Sequence, residues 1–108
     1  MHQTDAEYLR AEYHRRMNER RALMDRHQRL EARASLLSKS LSSVLHDKIV
    51  FAERFAEYKS VSAERQQAWS EYRNAARRED AAFHRYVTFL RSGLYAEYGS
   101  VLRDRVYA

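Results

Sequence analysis

Arginine carries most of the chemistry this chain can offer. His14-Arg15-Arg16-Met17-Asn18-Glu19-Arg20-Arg21 is the densest basic segment, and Arg77-Arg78 is a smaller one. A guanidinium forks onto carboxylates and phosphates and stacks on rings. Arg15, Arg16, Arg20, Arg21, Arg77 and Arg78 are therefore the candidate contacts for an acidic partner surface. Acids are interleaved with them: Glu12–Arg16, Arg21–Asp25 and Asp25–Arg29 stand at i,i+4 spacing and would pair within a helix. A solvated, salt-bridged face is the simpler reading. Nucleic acid is another, but no basic zipper, zinc finger, helix-turn-helix or RNA-stacking motif accompanies the arginines, and it is not favoured.

The other reactive side chains point to no reaction. The five histidines are His2, His14, His27, His46 and His84. None stands at i,i+3 or i,i+4 from another, so the pattern supports no helical metal site. There is no cysteine, which excludes thiol catalysis, zinc ribbons and iron–sulfur clusters together. Glycine-rich phosphate loops and nucleophile elbows are absent. Glu79-Asp80 beside Arg77-Arg78 reads as a solvated helix face. No enzyme activity, cofactor or metal is expected.

An aromatic unit does recur. It reads Phe55-Ala56-Glu57-Tyr58, Trp69-Ser70-Glu71-Tyr72, Phe83-His84-Arg85-Tyr86 and Tyr95-Ala96-Glu97-Tyr98, with the first three fourteen residues apart. Aromatics at i and i+3 share one helix face. Tyrosine joins an apolar body to a hydrogen-bonding tip, a combination frequent at interfaces. The units are either the core of a bundle or a regularly spaced docking surface, and the two merge if the core is intermolecular.

These residues need helices to hold them. The chain has 108 residues, no proline, and only Gly93 and Gly99 as glycines. Good helix formers dominate and the turn chemistry of a β fold is missing, so the fold class is all-α. Two apolar rows run at heptad spacing. One holds Leu23, Leu30, Leu37, Val44, Phe51, Tyr58, Tyr72 and Tyr86; the other holds Tyr13, His27, Ala34, Leu41, Phe55, Trp69, Ala76, Phe83 and Leu90. Their alternating steps of three and four form the a/d pattern of a coiled coil. His27 lies on this stripe, where a polar residue sets register.

Thr4-Asp5-Ala6-Glu7 is a capping box, so the helix should start near residue 5. Ser92-Gly93-Leu94 is the best stop signal, with Gly93 suited to the left-handed position after a helix. The serine-rich stretch from Ser35 to Ser43 and the pair His46-Asp47 are turn candidates. Against them, the segment is the most apolar in the chain, and the heptad phase passes through it intact. The expectation is one very long helix over about residues 5–92, roughly 130 Å at 1.5 Å per residue, with a long helical hairpin as the alternative. Residues 93–108 would form a short C-terminal helical tail.

The reading for function is a non-catalytic structural or adaptor subunit. It would pack against a larger protein assembly, or against copies of itself. The packing residues would be Leu23, Leu30, Leu37, Leu41, Val44, Phe51, Phe55, Tyr58, Trp69, Tyr72, Phe83, Tyr86, Tyr95 and Tyr98. A net charge of +5 suits an acidic partner. The alternatives are a nucleic-acid-binding helical dimer and a small helical inhibitor or chaperone that fills a partner's groove. No apolar run reaches the length of a membrane span and the N-terminus resembles no signal peptide, so an intracellular location is expected.

Overall fold

The computed structural model describes the backbone of residues 4–107 and the side chains of residues 4–93. It is all-α, with helix α1 at Asp5–Ser43 and helix α2 at Lys48–Tyr107. The single long helix is overturned by a turn at residues 44–47, and the alternative, a helical hairpin, fits.

The capping box forms as read. The Glu7 amide donates to Thr4 Oγ1 at 3.2 Å, and the Thr4 amide donates to Glu7 Oε2 at 3.4 Å. At the other end of α1, the Ser43 hydroxyl donates to the Ser40 carbonyl at 2.8 Å, the kind of local bond by which serine competes with the helix backbone. The Asp47 amide then donates to the Val44 carbonyl at 3.1 Å and closes the turn. Asp47 also starts α2: its Oδ1 accepts from the Ile49 amide at 3.1 Å and the Val50 amide at 3.2 Å. That is N-cap geometry.

Neither the unbroken heptad phase nor the apolar residues of this segment carry a helix through it. Phase survives because the linker keeps Leu37, Val44 and Phe51 at their sevenfold spacing although Val44 lies outside any helix. The apolar residues here are not buried: Leu36, Leu45 and Ile49 stand 67–73% exposed near the turn. The expected stop at Gly93 does not form either. Gly93 lies within α2, and no described glycine has a positive φ. The expected C-terminal tail falls where side chains are outside the described residues.

Contacts divide the chain into two units. The unit Glu19–Ala75 holds the turn and both helix segments that flank it. Its cross-helix contacts pair Ser40 with Arg54, Arg33 with Glu57 and Arg26 with Glu71, so the segments run antiparallel. Val61, Ala68 and Ala75 of α2 are buried, as is Ala34 of α1. Leu23, Leu30, Leu37, Phe51, Tyr58 and Tyr72 are half-buried beside them. Reading α2 as Tyr58, Val61, Arg65, Ala68, Tyr72 and Ala75 restores the three–four spacing, with small residues on alternate positions. Small residues at a helix contact let the backbones approach closely.

The other unit comprises Met1–Asn18 and Ala76–Ala108. Ala82, at 1% exposure, is the most buried of its described residues, and Tyr13 packs on Phe83 with ring centroids 5.3 Å apart. Glu12 is buried at 8% exposure; Arg16 Nε donates to its Oε1 at 2.9 Å, and Arg15 pairs with Oε2.

Candidate docking surface

Within Glu19–Ala75, the two flanks of the α2 seam differ. Side chains two residues apart on a helix point about 200° apart, so Glu71 and Trp69 leave α2 on opposite sides. On the Glu71 side the helices are tied by polar contacts. Arg26 Nη1 meets Glu71 Oε2 at 3.0 Å, Arg33 Nη2 meets Glu57 Oε1 at 2.6 Å, and Arg54 donates to the Ser40 hydroxyl. These pairs are well exposed, so each contributes little to stability on its own.

The Trp69 side is an open groove. Met24, His27, Gln28 and Glu31 line it from α1; Arg65, Gln66, Trp69, Ser70 and Arg73 line it from α2. Trp69 lies across it, with His27 at a centroid distance of 5.1 Å and Tyr72 stacked at 5.3 Å. Neither Arg65 nor Arg73 has a carboxylate partner among the described residues. Farther along α2, Phe55 stacks on Phe51 at 5.8 Å and carries Lys59 Nζ 4.7 Å above its ring.

The predicted packing residues therefore separate. Leu23, Leu30, Leu37, Leu41, Val44, Phe51, Tyr58, Tyr72 and Tyr86 are half-buried. Phe55, Trp69 and Phe83 are exposed at 38, 42 and 46%. Tyr95 and Tyr98 lie outside the described residues. The basic candidates separate as well. Arg15 and Arg16 are both held by Glu12, Arg20 and Arg78 also have interaction partners, and Arg21 and Arg77 are exposed.

Sequence reasoning missed two groups. The buried row Val61, Ala68, Ala75 and Ala82 sits one residue before the positions assigned to the stripe. Its signal was present: four small residues at strict sevenfold spacing between the tyrosines. Arg65 and Arg73 are not marked out by the sequence, because nothing in one helix's sequence shows which cation lacks a partner on the other helix.

Among the described residues no group of three or more histidines and acids could hold a metal ion, and no helix is long and apolar enough to cross a membrane. Comparison with known proteins finds no matching family model, no similar curated protein and no similar solved structure.

Proposed function

We propose that this chain is a non-catalytic helical adaptor, packed in coiled-coil fashion, that docks on a larger protein assembly through the aromatic side of α2. The observation that supports this is the inversion of size and burial. The most completely buried apolar residues among those described are alanines and a valine, whereas Phe55, Trp69 and Phe83 stay partly exposed. Large aromatics left at the surface, close to arginines, have the composition of an interface centre. The uncovered Leu36, Leu45 and Ile49 at the turn add apolar surface of the kind that marks contact sites.

The basic N-terminal segment fits nucleic acid less well. Arg15 and Arg16 share one carboxylate, Glu12, which offsets part of their charge, and a phosphate backbone is bound by cations free to replace its counterions.

The test is a surface variant carrying Phe55→Ser, Trp69→Ser and Phe83→Ser. It should keep the helicity of the wild-type chain by circular dichroism and lose the assembly that co-purifies with the wild type from native lysate. A variant that keeps every co-purifying protein refutes the adaptor reading. A variant that unfolds shows instead that these rings are core.

A further inference from the structure

We propose that the groove centred on Trp69 seats an acidic amphipathic helix from another protein. The proposal rests on the adaptor reading and specifies the chemistry of the partner.

Arg65, Trp69 and Arg73 stand at i, i+4 and i+8 on α2. They form one stripe about 12 Å long, two turns of helix. At its centre is a tryptophan already held in place by Tyr72 and His27, with 42% of its surface still open. At its ends are two guanidiniums with no carboxylate partner among the described residues. The opposite side of the same hairpin shows how this chain treats cations it uses internally: Arg26 and Arg33 are each matched to an acid on α2. Arg65 and Arg73 share their groove with Glu31 but form no ion pair with it or with any other described acid, so both remain open to carboxylates of a partner.

The shape favours a helix. A groove between two antiparallel helices accepts the ridge of a third, which presents side chains one turn apart. The matching ridge has a leucine or phenylalanine opposite Trp69 and carboxylates one turn before and one turn after it. Gln28 and Gln66 on the rims are neutral and can hydrogen-bond to either kind of polar neighbour.

Charge argues against the other occupants. A second copy of a chain carrying +5, seated edge to edge, would bring four guanidiniums together. A nucleic-acid strand repeats its negative charge at every nucleotide, and Glu31 lines the same groove. A helix can leave a neutral residue opposite Glu31.

The experiment selects binders on the full chain from a displayed library of helical peptides. The central apolar position is fixed, and the flanking positions vary among Asp, Glu, Lys, Arg, Gln and Ser. Trp69 is the sole tryptophan, so its emission reports directly on the groove. Carboxylates should be enriched at both flanking positions, and the selected peptides should shift Trp69 emission on titration. Their affinity should fall at least about tenfold in the Arg65→Glu, Arg73→Glu double variant, which keeps wild-type helicity. Selection on that variant should favour basic peptides instead.

Enrichment of neutral or basic flanks, absence of any enrichment, or binding that leaves Trp69 emission unmoved overturns the proposal. Stronger quenching of Trp69 by a thymidine oligonucleotide than by any peptide would assign the groove to nucleic acid. Self-association abolished by the double variant would assign it to a second copy. The adaptor reading has its own outcome: if the Phe55, Trp69 and Phe83 variant loses the native assembly while the library result is negative, docking stands and only this site is wrong.

Discussion

Two neighbouring rows of α2 treat size in opposite ways. Ala68 and Ala75 are sealed at 0% exposure, whereas Trp69, one residue along from Ala68, keeps 42%. The same reversal separates Ala82 at 1% from Phe83 at 46%. A large ring removes more water-exposed area when buried than a methyl group does, so area alone would place the rings inside. Packing against another helix adds a second requirement, that the backbones come close, and small residues meet it. The rings are then displaced to the flank, half-covered by Tyr13 or His27 and half-open. Where a helix packs against a single neighbouring helix, the most hydrophobic row need not be the buried one.

The sharpest way to break this comparison is to enlarge the small row. Ala68→Leu and Ala75→Leu should each destabilise the chain by about 1–3 kcal/mol through overpacking, read as a lower midpoint of urea denaturation. If both are tolerated, the seam is looser than the burial of these alanines implies.

Trp69→Ala should cost less, about 1–2 kcal/mol, because a ring already half in water loses only part of what a fully buried one would. A loss larger than that of Ala68→Leu would reverse the ranking of the two rows.

Asp47→Ala tests where both rows begin. Losing an N-cap should cost about 1 kcal/mol, with faster hydrogen exchange at the Ile49 and Val50 amides and little change elsewhere. Unchanged exchange there would remove Asp47 from the turn's design.

The smallest effect belongs to the ion-paired flank. Arg33→Ala should cost about 0–1 kcal/mol, and the difference should shrink further in high salt. A salt-insensitive loss above that range would mean the Arg33–Glu57 contact does more than surface pairing.

Much of the fold was legible in the residues. The missing proline, the good helix formers and the Thr4–Glu7 box gave the all-α class and the start of α1. Within Glu19–Ala75, the apolar row Leu23, Leu30, Leu37, Phe51, Tyr58 and Tyr72 is half-buried beside the alanines. The turn was not legible because its signals, serines and Asp47, lie among leucines whose exposure a sequence does not report. The second row was misassigned in α2 because a period of seven fits Phe55, Trp69 and Phe83 as well as it fits Val61, Ala68, Ala75 and Ala82. Periodicity finds a face of a helix; which neighbouring face is buried depends on the opposing helix. The groove was half visible: Trp69 was singled out, but the open cations at Arg65 and Arg73 emerge only when both helices are in view.

The most direct measurement is acrylamide quenching of Trp69 emission in the isolated chain, at concentrations where sedimentation shows a monomer. A small-row seam with the ring left half-open requires quenching intermediate between that of a buried tryptophan and that of the unfolded chain, together with full helicity. A blue-shifted emission that acrylamide barely reaches would contradict it, because Trp69 would then be core and the surface assigned to a partner would not exist.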